Sequence, residues 1–256
     1  MTSTFVMACG IQLFYVAAGT GSPIVYIHGN VASSRWFSPV MEVPGYATYA
    51  LDMPNFGRSQ ELPGEVDIHA YADCVKEFLD ALGLEDPLIV AHSLGGAVAQ
   101  SLAIRYPDCV KALMLVDSSS PKGLFTPPER YPLYEMMMKD RNIVAKSLAM
   151  IAPGLKDPAF LEALVDDAMK MAGKAWVGHA KALSAFDVSA GAASFGKPVL
   201  VIWGAGDYLV TRAMAEETAA AYPAAALRVL DGVGHSPMVE DPKRFKALLK
   251  EFLGSL

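Results

Sequence analysis

The chain has 256 residues, of which 53% are hydrophobic and 19% are charged, and its formal net charge is −6. This composition is typical of a compact globular protein and excludes an intrinsically disordered one. The negative charge and the lack of any lysine or arginine run argue against a nucleic-acid partner.

The apolar first 21 residues contain no basic residue, and the first arginine or lysine of the chain is Arg35. A secretory signal peptide needs a positive segment, so we expect none, and no apolar run is long enough to predict a membrane span. The three cysteines, Cys9, Cys74 and Cys109, show no Cys-x-x-Cys spacing. We therefore expect buried free thiols and a cytoplasmic location, with neither a disulfide nor a zinc framework.

Short apolar runs alternate with helical patterns along the first half of the chain. In chain order we predict strands at 5–9, 12–17 and 24–27, a helix at 33–41, a strand at 46–51, a helix at 67–82, a strand at 88–91, a helix at 94–105 and a strand at 110–116. Nearly continuous apolar strands between helices indicate a parallel sheet that is covered on both faces.

The alternation breaks between residues 118 and 196, where amphipathic segments at 129–139, 142–151, 159–171 and 175–186 follow one another without a convincing buried strand. It then resumes with a strand at 199–203, a helix at 211–222, a strand at 226–230 and a helix at 241–253. We predict an α/β fold with a mostly parallel eight-stranded sheet and helices on both faces. Residues 1–117 and 197–256 would form its core, and 118–196 a helical cap over the carboxyl ends of the strands.

A serine lies at a predicted strand–turn–helix junction. The apolar run 88–91 leads into Ser93, a helical pattern follows at once, and the small residues Ala91 and Gly95 flank the serine at two positions either side. Such a sharp turn pushes the hydroxyl out above the sheet edge and needs small neighbours. Ser194 has the same small-x-Ser-x-Gly spacing but precedes a strand. Ser93 is therefore the candidate nucleophile, and the alternative is a serine that only caps the helix.

Asp207 and His235 follow later strands of the predicted sheet. The carboxyl ends of parallel strands meet at one edge, so we expect both side chains near Ser93. A serine hydroxyl needs a base to take its proton, and the base needs an acid to orient it. Asp117 also follows a strand and is an alternative acid, while His235 has the alternative role of a buried hydrogen-bonding residue.

These motifs resemble the α/β-hydrolase superfamily, whose triad has the same order of serine, acid and histidine. The resemblance covers the chain outside residues 118–196. The matching segments are Ala91 to Gly95, His28-Gly29, the loop 52–59, the turn 203–207 and Gly234-His235. Ala91 and Asn55 stand where many members carry glycine, and asparagine tolerates the left-handed backbone that such a position needs.

The resemblance implies an oxyanion hole formed by the backbone N–H groups of Asn30 and Leu94. It also implies a serine hydrolase that cleaves a small apolar ester or lactone through an acyl-enzyme. The sequence has no His-Glu-x-x-His or Cys-x-x-Cys motif and no phosphate-binding glycine loop, so we expect neither a cofactor nor a metal. His28, Met136 and Met137 are candidate substrate contacts. The alternatives are a structural hydrogen bond for His28, as also for His92, and ordinary helix packing for the methionines.

Other activities share the same triad and stay open. They are the cleavage of a carbon–carbon, thioester or amide bond and perhydrolysis. A receptor that binds a small molecule without turning it over is the alternative from another class. Arg35 and Arg58 are either near a substrate carboxylate or at the surface. We expect a monomer or a homodimer without a membrane partner.

Overall fold

The computed structural model describes residues 1–256. Its strands are Thr2–Ala8 (β1), Ile11–Gly19 (β2), Ser22–Ile27 (β3), Tyr46–Leu51 (β4), Leu88–His92 (β5), Ala112–Val116 (β6), Val199–Gly204 (β7) and Ala225–Leu230 (β8). They form one sheet in the order β1-β2-β4-β3-β5-β6-β7-β8. The pairs β1–β2 and β2–β4 are antiparallel and the other five pairs are parallel. The predicted mostly parallel, eight-stranded sheet is thereby confirmed.

The α-helices are Ile68–Ala81 (α1), Leu94–Arg105 (α2), Tyr131–Lys139 (α3), Arg141–Ile151 (α4), Pro158–Ala168 (α5), Ala175–Ala185 (α6), Ser189–Ala192 (α7), Arg212–Ala221 (α8), Pro237–Glu240 (α9) and Pro242–Leu253 (α10). Short 3-10 helices occur at Ser34–Val40, Pro107–Cys109 and Pro128–Arg130. The first of these replaces the α-helix predicted at 33–41, and Pro39 inside it lacks the N–H that an α-helical turn would use. None of the helices is both long enough and apolar enough to cross a lipid bilayer.

The central strands β5, β6 and β7 are buried along their whole length. They can be continuous apolar runs because helices cover both faces of the sheet. Helix α2 packs so closely that its residues from Leu94 to Ala103 are all buried. Helix α1 begins where the Asp67 carboxylate accepts hydrogen bonds from the N–H groups of His69 and Ala70. These elements bring the loops after β3, β5, β6, β7 and β8 to one edge of the sheet.

Between β6 and β7 the chain forms the helices α3 to α7 and only an isolated β-bridge, between Ser120 and Gly123. We call residues 118–196 the inserted segment. The absence of a strand in it agrees with the sequence, and the four predicted helices are all present. The division of the chain into a core and a helical cap over the carboxyl ends of the strands stays a prediction.

A buried carboxylate attaches the inserted segment to the rest of the chain. Asp167 in α5 accepts hydrogen bonds from Ser33 Oγ at 3.0 Å and Arg35 Nε at 2.6 Å, and Lys170 Nζ lies 2.8 Å away. Arg35 is thus committed to a structural ion pair. Arg58 lies with its guanidinium 3.8 Å from the centre of the Phe14 ring.

His179 in α6 forms a second buried attachment. Its Nε2 lies 2.9 Å from the Tyr71 hydroxyl, and its ring stacks on Phe56 at 4.5 Å. Burial lowers the pKa of His179 to about 3, so the ring is neutral. The inserted segment is therefore held by polar groups as well as by apolar packing.

The cysteines correct one expectation from the sequence. Cys9, the residue after β1, and Cys74, in α1, form a disulfide with their Cα atoms 5.3 Å apart, and only Cys109 is a free thiol. The prediction of three free thiols is wrong. The two bonded cysteines are 65 residues apart in the sequence. Only the packing of α1 against β1 brings them together, and no local spacing shows that contact.

Candidate active site

Ser93 lies on the sharp turn between β5 and α2. Its backbone has φ 53° and ψ −119°, and its side chain does not cap α2. The Ser93 N–H donates to the carbonyl of Val116 at 3.1 Å, which ties the turn to β6. The alternative role as a helix cap is therefore not the one that the structure shows, and the half-buried side chain has the geometry of a nucleophile elbow.

Two glycines let the loop after β3 pack against this elbow. A Cβ at Gly95 would overlap the carbonyl oxygens of Ile27 and His28, and one at Gly29 would lie 3.0 Å from the Ser93 Cβ. The backbones can approach this closely only without side chains. The residue after Gly29, Asn30, is thereby placed beside the elbow.

The two predicted oxyanion-hole donors are backbone N–H groups at this junction. Among the backbone hydrogen bonds of the turns, loops and helix ends, none has the N–H of Asn30 or Leu94 as its donor. The Asn30 side chain is otherwise engaged, because its Oδ1 accepts from the Val31 N–H at 2.9 Å. Two such donors, one in the loop after β3 and one at the first residue of α2, are the elements from which an oxyanion hole is built.

Unusual backbone angles concentrate along this edge. Six non-glycine residues have positive φ, and four of them follow the consecutive strands β3, β4, β5 and β6. These four are Val31 (53°), Asn55 (71°), Ser93 (53°) and Asp117 (41°). A β-branched residue such as valine rarely adopts this region. Strain of this kind persists where the surrounding structure holds it, typically at functional sites.

His235 and Asp207, the predicted acid–base pair, are hydrogen-bonded to each other. Asp207 Oδ2 lies 2.6 Å from His235 Nδ1, and both side chains are buried. Asp207 Oδ1 accepts from the N–H groups of Leu209 at 2.7 Å and Val210 at 3.2 Å. A carboxylate can only accept a hydrogen bond, so His235 Nδ1 is the nitrogen that carries the hydrogen. Nε2 is then left with a free lone pair.

Glu240, in the short helix α9, holds the loop that carries His235. Its carboxylate accepts from the N–H groups of Gly234 at 3.0 Å and Ser236 at 2.9 Å, one on each side of the histidine. It also accepts from the Gly154 N–H of the inserted segment at 3.1 Å. Sequence reasoning missed this residue because a helix of four residues has no periodic pattern.

His92 holds the same histidine through its backbone carbonyl. Its Nε2 donates to the His235 carbonyl at 2.8 Å, and the two ring centres are 4.7 Å apart. Burial first, and then the neighbouring His235, hold the pKa of His92 well below its ordinary value, so it is neutral. Its predicted role as a structural hydrogen-bonding residue is confirmed. Because His92 precedes Ser93, this contact places His235 beside the elbow.

Asp117, the alternative acid, lies next to this pair but does not replace Asp207. Its Oδ1 accepts from the Gly204 N–H at 2.8 Å, and His235 Nδ1 is bonded to Asp207. One carboxylate oxygen from each of Asp117 and Asp207 and one ring nitrogen of His235 lie within 4.8 Å of one another.

The predicted substrate contacts are dispersed. His28 is buried and committed to the backbone, with Nδ1 2.8 Å from the Gly29 carbonyl and Nε2 accepting from the Met53 N–H at 3.0 Å. Burial lowers its pKa. Met137 is buried, whereas Met136 is 49% exposed. Contact of Met136, Met137 or His28 with a substrate stays a prediction.

Comparison with known proteins agrees with the fold described above. Over 262 residues the chain is 29% identical to the dihydrolipoyllysine-residue acetyltransferase component of the acetoin cleaving system of Cupriavidus necator, which covers 96% of this chain and 67% of that protein. It is 26% identical to the pimeloyl-[acyl-carrier protein] methyl ester esterase of Yersinia pseudotuberculosis, with 94% and 97% covered. The enol-lactonase of Burkholderia xenovorans LB400 has the same fold, with a TM-score of 0.87, 20% identity and coverage of 98% and 100%.

The sequence profile of the alpha/beta hydrolase family matches residues 24–248, which is well over half of the chain. That range contains the elbow, both loops of the acid–base pair and the inserted segment. The protein is therefore a member of the alpha/beta hydrolase family.

Proposed function

We propose that the protein is a serine hydrolase that cleaves a small carboxylic ester or lactone through an acyl-enzyme on Ser93. The observation that carries the proposal is the buried hydrogen bond between Asp207 and His235 beside a serine on a strained elbow. A buried carboxylate, a singly protonated imidazole and a presented hydroxyl are the three parts of a serine triad.

In the proposed reaction Ser93 Oγ attacks the substrate carbonyl carbon while His235 Nε2 takes the hydroxyl proton. The N–H groups of Asn30 and Leu94 stabilise the negative oxygen of the tetrahedral intermediate. His235 then gives the proton to the leaving alcohol, which departs from an ester or stays attached by the acyl chain in a lactone. Water, deprotonated by His235, releases the acid from Ser93 and restores the enzyme.

Ser93 Oγ needs to approach His235 Nε2 for this step. In ligand-free enzymes such hydrogen bonds are often long and shorten only when the substrate binds. Asp207 keeps the imidazole in the required tautomer and stabilises its protonated form. Glu240 and His92 would hold the histidine loop while the proton moves.

Two of the three named proteins support a carboxylic ester or lactone as the substrate class. One is called a methyl ester esterase and another an enol-lactonase, and both match nearly the whole chain. The cap of a hydrolase of this kind determines which acyl group fits. We assign that role to the inserted segment, with Met137 as a candidate lining residue.

A panel of esters and lactones of graded acyl length tests the proposal. We expect multiple turnovers with at least one short ester or lactone, and a loss of at least about 1,000-fold in kcat in Ser93→Ala. Ser194→Ala is the matched control and should keep full activity. Near-stoichiometric reaction together with a ligand-induced rise in melting temperature would instead favour a receptor.

A further inference from the structure

Asp117 is a buried carboxylic acid beside the proposed triad that the reaction itself does not use. It ends β6, its side chain is 1% exposed, and Oδ1 accepts from the Gly204 N–H at 2.8 Å. Its other oxygen, Oδ2, is buried and receives no hydrogen bond from a donor, and a carboxylate oxygen of Asp117 lies within 4.8 Å of one of Asp207. A buried carboxylate oxygen without a donor is costly, whereas a carboxylic acid hydroxyl needs only one acceptor.

The charged and titratable groups around Asp117 come from two loops and a short helix. Asp207 lies after β7, His235 after β8 and Glu240 in α9. Neither lysine nor arginine is among them. Burial first, and then the charge of Asp207, hold the pKa of Asp117 well above its ordinary value.

The two aspartates differ in the number of donors they receive. Asp207 accepts from His235 Nδ1 and from two backbone N–H groups, whereas Asp117 accepts only one N–H. Hydrogen bonds to a carboxylate favour its ionised form. Of these two neighbouring carboxyl groups, Asp207 is therefore the one whose hydrogen bonds favour the carboxylate.

We propose that Asp117 is a positioning residue that stays protonated at neutral pH and donates its Oδ2 hydrogen to the carboxylate of Asp207. The inference rests on the proposed triad. The donated hydrogen bond holds Asp207 toward His235 and spreads the carboxylate charge. It thereby weakens the attraction of Asp207 for a protonated imidazole, so activity should extend to a lower pH than it would without Asp117.

The pH dependence of kcat/KM separates this role from a purely structural one. Asp117→Asn keeps a neutral donor toward Asp207 and suits the positive φ, so the acid limb should stay within about 0.3 pH unit of the wild type. Asp117→Gly removes the donor without backbone strain, and the limb should move to higher pH by about 0.5 to 1 unit. A downward shift in Asp117→Asn would mean that Asp117 is ionised and overturn the proposal, as would an unchanged limb in a folded Asp117→Gly.

Thermal stability gives a test that needs no substrate. The pKa of Asp117 is higher in the folded than in the unfolded protein, where it is about 3.9. Such a carboxyl contributes its full stabilisation below about pH 3.9, and the contribution is lost as the pH rises toward the folded pKa. The melting temperature of Asp117→Asn should therefore rise relative to the wild type between pH 4 and pH 8. A difference that stays constant over this range would contradict a protonated Asp117.

Infrared spectroscopy observes the proton itself. The difference spectrum of the wild type minus Asp117→Asn at pH 7 should contain the carbonyl stretch of a protonated carboxylic acid. Only carboxylate bands in that spectrum would overturn the proposal. This result is independent of activity, so a protein that hydrolyses no ester would refute the proposed function and leave the protonation of Asp117 measurable.

Discussion

Asp207 Oδ2 accepts a 2.6 Å hydrogen bond from His235 Nδ1, and the two residues come from loops that follow neighbouring strands. Gly206, beside the acid, donates its N–H to the Val233 carbonyl at 2.8 Å, close to the histidine. The pair is thus fixed by its backbone as well as by its side chains. A site held in this way needs little reorganisation when a proton moves.

Replacement of the acid should remove most of the activity. In Asp207→Asn the amide leaves the imidazole in the wrong tautomer, and we expect kcat to fall by roughly 1,000- to 10,000-fold with little change in fold. Asp108→Asn, at an exposed aspartate, is the matched control. Steady-state kinetics with an active ester measures both, and a loss of less than tenfold in Asp207→Asn would remove it from this role.

The elbow should tolerate no side chain at Gly95. Gly95→Ala places a methyl group against the carbonyl oxygens of Ile27 and His28, so the turn has to move. We expect a loss of about 1–3 kcal/mol in the free energy of unfolding. Gly196→Ala is the control, since its Cβ meets nothing within 4 Å, and should stay within about 0.5 kcal/mol. Equal effects in urea denaturation would contradict this account of the turn.

The sequence predicts the strands and the elbow because both depend on local patterns. Buried strands are apolar runs, and the turn at Ser93 needs small residues at fixed positions. The sequence also predicts that Ser93, Asp207 and His235 lie at one edge of the sheet, since the carboxyl ends of parallel strands meet there. The family match supports the same fold.

Features that depend on contacts between distant segments could not be predicted. The Cys9–Cys74 disulfide and the attachment of Asp167 to Arg35 join residues 65 and 132 positions apart. The sequence shows Asp117 as a rival acid, but only the structure shows it beside Asp207. Short helices such as α9 lack a period, so Glu240 was missed.

Asp167 should be a main attachment of the inserted segment. Burial alone would raise its pKa, but hydrogen bonds from Arg35 and Lys170 outweigh that effect and hold the pKa below its ordinary value. Asp167→Asn breaks a buried ion pair and should cost about 2–4 kcal/mol at pH 7. A lowered pKa stabilises the fold above the unfolded value of about 3.9, so the difference from the wild type should shrink as the pH falls below about 4.

The control for this variant is the neighbouring residue. Asp166 pairs with Arg141 at the surface, where its side chain is 65% exposed. Asp166→Asn should cost less than about 1 kcal/mol. Denaturant midpoints of both variants at pH 7 and pH 4 make the comparison, and similar losses would show that burial does not decide the effect.

The disulfide predicts the number of reactive thiols. Denatured protein that has not been reduced should contain one thiol per chain, Cys109, and reduced protein three. Closing a loop of this length should stabilise the fold by about 2–4 kcal/mol, so Cys9→Ser should unfold at lower denaturant concentration and Cys109→Ser should not. Three thiols without reduction would show that the bond does not form.

The central claim is that Ser93 is the nucleophile, and covalent labelling with a fluorophosphonate probe tests it most directly. The wild type and Ser194→Ala should be labelled to one probe per chain, and peptide mapping should locate the probe on Ser93. Ser93→Ala should not be labelled, although its melting temperature should match that of the wild type within a few degrees. Labelling that persists in Ser93→Ala at the wild-type rate would contradict the account.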